Sequence, residues 1–215
     1  MRRRSTCIIG TMKGILGAAC FAAGLLAAAA AQAAGTILIF GDSLSAAYGI
    51  PAERGWAALL ARRLAERKMD YAVVNASISG ETTAGGRARL ARALAQQRPA
   101  VVILELGAND GLRGLPVAEM KANLAAMAAA SRQAGARVLI VGMRLPPNYG
   151  AGYTREFHAA FGEVAKRHGA ALAPFLLDGV ADDQFQPDRI HPTAAAQPKL
   201  LDSVWKALAP LLRPR

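Results

Sequence analysis

Apolar and mixed segments alternate along most of the chain. Five short apolar runs have the length of buried strands, at 36–40, 71–75, 101–105, 137–143 and, more weakly, 171–175. Longer segments with apolar residues at helical spacing lie at about 54–68, 84–97, 117–134, 152–168 and 193–209. Continuous apolar strands separated by helices predict a parallel sheet with helices on both faces.

This alternation predicts an α/β fold. Right-handed crossovers between parallel strands favour a three-layer α/β/α arrangement with a five-stranded, flavodoxin-like sheet. The segment 145–152 interrupts the pattern with two prolines and two glycines, and we expect a loop there. Because the carboxyl ends of parallel strands meet at one edge of a sheet, the segments that follow the strands should cluster at that edge.

The first 33 residues differ in composition from the rest of the chain. Their basic residues have no acidic neighbours and are Arg2, Arg3, Arg4 and Lys13. An apolar stretch at 15–30 and the small-x-small site Ala31-Gln32-Ala33 follow, which is the layout of a secretory signal peptide cleaved after Ala33. A retained anchor is the weaker alternative, since a spanning helix needs roughly 20 apolar residues. Lipidation at Cys20 is a second alternative to ordinary cleavage.

Cleavage after Ala33 would leave residues 34–215, which have the size of a single domain. Both cysteines, Cys7 and Cys20, precede this domain, so we expect no disulfide in it. Lys and Arg fall from 26 to 22 against 15 acids, a net charge of +7. These basic residues are scattered along the predicted helices without interleaved aromatics, which indicates solvated faces and no nucleic-acid site. A positive surface can still attract anionic substrates or lipid headgroups.

We therefore expect a periplasmic or secreted protein with no stable membrane span after cleavage, acting as a monomer on small molecules.

A serine directly after the first predicted strand is the first candidate for chemistry. Ser43 follows Gly41, where the backbone can turn sharply, and a serine nucleophile needs a histidine base oriented by a third group. Asp188 and His191 can supply both from one turn, and the order Ser…Asp…His is compatible with a hydrolase triad. Taken singly, Ser43 is also a plausible helix N-cap, and Asp188 with His191 an ordinary turn.

Two further polar segments follow the second and third predicted strands. Asn109 has an uncharged amide donor of the kind that stabilises an oxyanion, and Gly80 can present its N–H in a conformation that only glycine adopts easily. Turn chemistry is the alternative interpretation of both residues.

Together these segments resemble the SGNH, or GDSL-type, hydrolases. The matching blocks, in the family's order, are Gly41–Ser45, Ser79–Thr82, Gly107–Asp110 and Asp188–His191 with Pro192. Longer matches at 105–114, 144–150 and 190–198 are similar to the bacterial periplasmic thioesterase I / protease I / lysophospholipase group. The resemblance covers about 36–211.

The resemblance implies Ser43 as the nucleophile, His191 as the base and Asp188 as the residue that orients the base. It implies an oxyanion hole made of the Ser43 N–H, the Gly80 N–H and the Asn109 amide. The implied activity is hydrolysis of fatty-acyl esters and thioesters, including lysophospholipids, through an acyl-enzyme. We expect no cofactor and no metal, because the chain has neither a Gly-x-Gly-x-x-Gly motif nor a His/Cys cluster with metal-ligand spacing.

Two alternatives to this function remain at the level of the sequence. One is a carbohydrate or small-ester deacetylase of the same family. The other is a non-catalytic binding module on the same fold, since a fold does not fix a function.

Apolar residues after the third and fourth strands suggest an acyl groove. The predicted lining is Leu112, Leu115, Leu145, Pro146 and Tyr149, with ordinary loop packing as the alternative. The resemblance implies that the loop 111–115 shifts over bound acyl chains, and its two glycines would allow that motion. Ala108 and Arg189 depart from the related group, where glycine is usual at both positions.

Overall fold

The computed structural model describes residues 35–212, which contain one parallel sheet of five strands. The strands are β1 (Gly35–Gly41), β2 (Tyr71–Asn75), β3 (Val101–Glu105), β4 (Arg137–Val141) and β5 (Ala171–Ala173). Their order is β2-β1-β3-β4-β5, and every neighbouring pair is parallel. The predicted flavodoxin-like α/β/α fold is confirmed.

Helices cover both faces of this sheet. They are α1 (Trp56–Glu66), α2 (Thr83–Gln97), α3 (Ala108–Leu112), α4 (Val117–Gln133), α5 (Ala151–His168) and α6 (Gln197–Leu208). Helices α1 and α6 pack together in one layer, whereas α4 packs against both α2 and α5 in the other. Every residue of β3 is buried, so the middle of the sheet is the core of the domain.

The sequence pattern misplaced several element boundaries. Strand β4 ends at Val141, because Gly142 turns to bond with both the Ala173 carbonyl and the Leu176 N–H. Helix α6 begins at Gln197 after a turn at 193–196, four residues later than predicted.

Two segments without a predicted helix contain short helical elements. The segment 145–152 contains a 3₁₀ turn at Pro147–Tyr149, and α5 already begins at Ala151. Proline is compatible with the first turn of a helix, and Gly150, at φ 88°, makes the reversal between the two elements. Helix α3 lies in a region from which only a loop was expected, because five residues are too few to show a helical period.

The predicted signal peptide at 1–33 lies outside the described residues, so the export prediction stays a prediction. Between Gly35 and Leu212, no helix is both long and apolar enough to cross a membrane.

Candidate active site

The strand ends bring the predicted site residues to one edge of the sheet. Ser43 follows β1, Gly80 lies in the loop after β2, and Asn109 lies in α3 after β3. His191 comes from the long segment between β5 and α6. All four line one cavity, although they are up to 148 positions apart along the chain.

Ser43, His191 and Asp188 form a continuous hydrogen-bonded chain. The Ser43 Oγ lies 2.8 Å from His191 Nε2, and His191 Nδ1 lies 2.7 Å from Asp188 Oδ2. The contact with the carboxylate favours the tautomer with the proton on Nδ1, which leaves the Nε2 lone pair facing the serine hydroxyl. This is the arrangement that general-base activation of a serine requires.

The Asp188 carboxylate is stabilised by its own turn. Its Oδ1 accepts hydrogen bonds from the Ile190 and His191 backbone N–H groups at 2.9 and 3.0 Å. These backbone bonds and the His191 side chain lower the pKa of Asp188 to about 2. The group is therefore ionised at neutral pH and can stabilise an imidazolium on His191.

A side chain that the sequence did not suggest joins the base to the nucleophile turn. Gln186 Nε2 donates to the Tyr48 carbonyl at 2.8 Å and to the Pro192 carbonyl at 3.2 Å. The Gln186 N–H also donates to the His191 carbonyl at 2.7 Å. Gln186 thus closes the loop that carries the base and attaches it to the loop after Ser43. The Tyr48 ring, 4.5 Å from the His191 ring between centroids, covers the same imidazole.

The turn that carries Ser43 rests on buried polar groups. Asp42, Ser45 and Glu105 are each fully buried. The Glu105 carboxyl oxygen Oε2 accepts from the Ser45 hydroxyl at 2.6 Å and from the Asp42 N–H at 3.3 Å. Asp42 Oδ1 accepts from the Leu44 N–H at 3.0 Å, which closes the turn around the nucleophile.

Burial changes the acidity of both carboxyl groups in this cluster. It raises the pKa of Asp42 to about 7, despite hydrogen bonds from Leu44 and Asn109 that lower it. It raises the pKa of Glu105 well above the usual value, and the charge of Asp42 adds to that rise.

The predicted oxyanion donors lie together on the wall of the cavity. Gly80 has a φ of 79°, a conformation that favours glycine, and it is anchored by a 3.0 Å bond from Arg113 Nη2 to its carbonyl. Within residues 35–212, no protein group accepts a hydrogen bond from the Ser43 N–H or the Gly80 N–H. Both donors are therefore available to a ligand.

The Asn109 amide differs from these two backbone donors. Its Nδ2 donates to Asp42 Oδ2 at 3.2 Å and to the Glu81 carbonyl at 3.0 Å. An oxyanion at this corner would have to share or replace one of these two bonds. Arg89 pairs with the Glu81 carboxylate and donates to the Ala76 carbonyl at 2.7 Å, so the loop that presents Gly80 and Glu81 is fixed from below.

A cavity of about 440 Å³ opens beside the triad. Besides the catalytic groups, its apolar lining consists of Leu44, Tyr48, Ala108, Leu112, Met143, Leu145, Pro146, Phe175, Leu177, Phe185 and Ile190. Arg144 and Arg189 add two exposed positive charges to its wall. The cavity combines a mainly apolar surface with a few polar groups, as small-molecule sites do.

Three of the five predicted groove residues, Leu112, Leu145 and Pro146, line this cavity, whereas Leu115 and Tyr149 do not. The Tyr149 hydroxyl donates to the Leu112 carbonyl at 3.0 Å, so its role here is to fix the end of α3. Leu115 is exposed, and its carbonyl accepts from the Tyr153 hydroxyl at 2.7 Å. Three lining residues were not predicted, because they come from segments without a motif: Met143, Phe175 and Phe185.

The two glycines of the loop 111–115 have different surroundings. A Cβ at Gly111 would lie 2.5 Å from Phe157 and 2.8 Å from Leu145. Gly114, at φ 66°, has open space around it. Gly111 therefore allows α3 to pack closely against Phe157 and Leu145, whereas Gly114 adopts a conformation that favours glycine.

Comparisons with known proteins identify the family. Residues 39–197 match the model of the GDSL-like Lipase/Acylhydrolase family. The matched range contains Ser43, Gly80, Asn109, Asp188 and His191. The chain belongs to this family.

Individual relatives agree with this assignment. The chain is 52% identical over 203 residues to Esterase TesA of Pseudomonas aeruginosa, covering 94% of this chain and 100% of that protein. It is 41% identical over 184 residues to Thioesterase 1/protease 1/lysophospholipase L1 of Escherichia coli, covering 85% and 87% of the two chains. A crystal structure of TesA superposes with a TM-score of 0.81 at 53% identity, covering 82% of this chain and 99% of that one.

Two residues noted as departures from related GDSL hydrolases lie on the wall of the cavity. Ala108 begins α3 beside Asn109 and adds a methyl group to the lining. Arg189 lies in the triad turn with a φ of 58°. Apart from Asn and Asp, residues with a side chain rarely adopt this conformation. Both residues thus line the same cavity as Ser43 and His191.

For residues 35–212, no cluster of three or more His, Cys, Asp or Glu side chains has the arrangement of a metal site.

Proposed function

We propose that this protein hydrolyses carboxylic esters and thioesters of fatty acids through an acyl-enzyme on Ser43. The observation that carries the proposal is the hydrogen-bonded chain of Ser43, His191 and Asp188 at an apolar cavity. Membership of the GDSL hydrolases and the names of the relatives, which are an esterase and a thioesterase/lysophospholipase, support the same class of reaction.

Acylation uses His191 first as a base and then as an acid. His191 Nε2 takes the proton from the Ser43 hydroxyl while Oγ bonds to the acyl carbon, which gives a tetrahedral oxyanion. Asp188 stabilises the imidazolium without taking its proton. The imidazolium then protonates the departing alcohol or thiol, the bond to that group breaks, and the acyl group stays on Ser43.

Deacylation repeats these steps with water as the nucleophile. His191 removes a proton from water as the water oxygen bonds to the acyl carbon. Collapse of the second tetrahedral intermediate breaks the bond to Ser43, whose Oγ receives the proton from His191. The products are the carboxylic acid and the free enzyme.

We assign stabilisation of both intermediates to the Ser43 N–H, the Gly80 N–H and the Asn109 amide. The two backbone donors are unoccupied within the described residues, and Asn109 can strengthen its bond to the oxyanion as that to the Glu81 carbonyl weakens. In this assignment Asn109 contributes more to the transition state than to the ground state, which is the condition for a gain in rate.

The apolar lining favours fatty-acyl groups over short polar ones. A buried methylene contributes about 0.8 kcal/mol, which is roughly fourfold in the specificity constant while the cavity has room. The specificity constant should therefore rise over the first acyl carbons and then level off. Ala108 should disfavour branched acyl groups, because its methyl group lies on the cavity wall beside Asn109.

We further propose that the protein acts outside the cytoplasm as a monomer. The proposal of export rests on the basic front, the apolar stretch and the Ala31-Gln32-Ala33 site. Mass spectrometry of the secreted or periplasmic protein should find Ala34, within a residue or two, at its amino terminus, and an uncleaved or diacylglyceryl-modified product would contradict this. Light scattering of the processed protein tests the monomer.

The function is tested by labelling and by a substrate panel. A fluorophosphonate probe should label the purified protein stoichiometrically but leave Ser43→Ala unlabelled. The specificity constant for p-nitrophenyl esters is then measured from acetyl to palmitoyl, and for branched acyl esters, on wild type and Ala108→Gly, which should improve the branched substrates most. A maximum at acetyl would favour a small-ester deacetylase. Absence of labelling would contradict the serine-hydrolase function itself.

A further inference from the structure

A buried carboxyl group lies directly beneath the nucleophile turn. Glu105 is the last residue of β3, and its side chain is fully buried. Its Oε2 accepts from the Asp42 N–H at 3.3 Å and from the Ser45 hydroxyl at 2.6 Å. These two residues flank Ser43 and Leu44, so one oxygen atom of Glu105 connects both ends of the turn that presents the nucleophile.

The approach of Glu105 to this turn depends on the glycine that ends β1. Gly41 is paired with Glu105 in the parallel ladder between β1 and β3. A Cβ at Gly41 would lie 2.6 Å from Glu105 Oε2 and 2.9 Å from Ser45 Oγ. Any other residue at position 41 would therefore displace the carboxyl group, and the backbone of β1 leaves room for this contact.

We propose that Glu105 is a positioning residue for the hydrolysis. It holds the turn 42–45 so that the Ser43 N–H faces the oxyanion, and it does so as an uncharged acid. This inference rests on the function proposed above. Glu105 acts through Asp42 and Ser45 and does not contact the substrate.

Neutrality follows from the surroundings of the carboxyl group. No salt bridge within residues 35–212 involves Glu105, and its second oxygen, Oε1, has no hydrogen-bond partner there. An ionised carboxylate would leave charge on a buried, unpaired oxygen, which costs far more than burying the uncharged acid. The raised pKa of Glu105, caused by burial and the adjacent Asp42, agrees with this.

An uncharged Glu105 also favours formation of the oxyanion. The oxyanion develops on the substrate carbonyl oxygen beside Ser43, which lies within the turn that Glu105 supports. A second negative charge so close, in an environment of low dielectric constant, would oppose its formation. A protonated acid keeps the geometry of the turn without that repulsion.

Three substitutions separate geometry from charge. Glu105→Gln retains an oxygen acceptor and is always neutral, so it should keep most of the acylation rate. Glu105→Leu removes the acceptor and leaves the Asp42 N–H and Ser45 Oγ without their partner. Because a displacement of about 1 Å near the reacting atoms can cost 10²-fold, we expect its acylation rate to fall about 10–100-fold. Ser45→Ala removes only one of the two contacts and should fall less.

The measurement is the single-turnover acylation rate with p-nitrophenyl butyrate, normalised to active sites titrated with a fluorophosphonate. KM should change little, because neither Glu105 nor Ser45 lines the acyl cavity. Ser131→Ala is the matched control, since Ser131 is also fully buried and donates to a backbone carbonyl, that of Met127, at 2.8 Å on α4. This control should lower the melting temperature without lowering the acylation rate.

The outcomes distinguish the possible roles of Glu105. An acylation rate for Glu105→Leu equal to that of wild type, with only a lower melting temperature, would make the residue purely structural and overturn the inference. Glu105→Gln as slow as Glu105→Leu would overturn the neutral acid. If Glu105→Leu does not fold, an undiminished acylation rate in Ser45→Ala overturns the positioning role. Wild type that resists labelling contradicts the proposed function and not this inference.

Discussion

The two sides of the catalytic triad are positioned in different ways. The turn of Ser43 rests on Asp42, Ser45 and Glu105, all fully buried beneath the end of the sheet. On the other side, the side chains of Asp188 and His191 are 36% and 16% exposed and belong to a long segment without strands or α-helices. The nucleophile is fixed by the core, whereas the base is fixed by hydrogen bonds within its own loop and by the bond from Gln186 to the Tyr48 carbonyl.

Because of this difference, substitutions on the two sides should differ in their effects on stability and on turnover. Substitutions beneath Ser43 disturb the packed end of β1 and β3, so they should lower both stability and rate. Substitutions in the loop 185–192 remove few buried contacts, and we expect them to affect the rate with little effect on unfolding. Four predictions, in order of decreasing effect, test this comparison.

The largest effect is expected from removal of the nucleophile or the base. Ser43→Ala and His191→Ala should each lower kcat by roughly 10⁴–10⁶-fold, and the double variant should be little worse, because both residues serve one step. Steady-state kinetics on the three purified variants provide the measurement. Losses that multiply would show that the two sides act independently.

Asn109→Ala should lower kcat roughly 10²–10³-fold with little change in KM, because its amide binds charge that is present only in the transition state. Asn109→Asp should be at least as impaired, since it places a negative charge where another develops. Kinetics and circular dichroism check this pair. Near-normal turnover in either variant would remove Asn109 from the oxyanion hole.

Gln186→Ala tests the loop that carries the base. Loss of its bonds to the Tyr48 and Pro192 carbonyls should let the loop move relative to Ser43 and lower kcat about tenfold. The melting temperature should change by only a few degrees. Gln96→Ala on the exposed face of α2 is the matched control and should leave both quantities unchanged. A large loss of stability with unchanged kcat would reverse the contrast between the two sides.

The smallest effect concerns the acid stability of the Asp188 turn. The pKa of Asp188 is lowered from 3.8 to about 2 in the folded protein, so ionised Asp188 stabilises the fold above about pH 4. That contribution should disappear as the pH falls from about 4 to 2. Since the side chain is more than one third exposed, solvent screening should keep it small.

Denaturant unfolding of wild type and Asp188→Asn between pH 6 and pH 2 measures this contribution. The difference in the free energy of unfolding between the two proteins should shrink below pH 4. A difference that stays constant over this range would show that Asp188 is not stabilised by its turn.

The central strands could be predicted from the sequence because they are buried on both faces. Strand β3 covers the same residues as the apolar run at 101–105, and β1 extends the run at 36–40 by one residue at each end. Helix α3 could not be predicted, since its five residues depend on tertiary contacts. Gly107 precedes it at φ 125°, and Asp110 accepts hydrogen bonds from the N–H and hydroxyl of Thr83.

In the candidate site, too, residues that depend on distant partners could not be predicted from the sequence. Ser43, Asp188 and His191 could be predicted because each belongs to a short sequence motif. Gln186 and Glu105 were not, because their partners Tyr48 and Ser45 lie 138 and 60 positions away. Phe175 and Phe185 line the cavity from segments whose local pattern gives no sign of a site.

The central claim is that one acyl-enzyme on Ser43 serves both esters and thioesters. The most direct test is the partition of that intermediate between water and added methanol. p-Nitrophenyl butyrate and a butyryl thioester should give the same ratio of butyric acid to methyl butyrate, because the leaving group has departed before the partition occurs. Ratios that depend on the leaving group would contradict a shared acyl-enzyme.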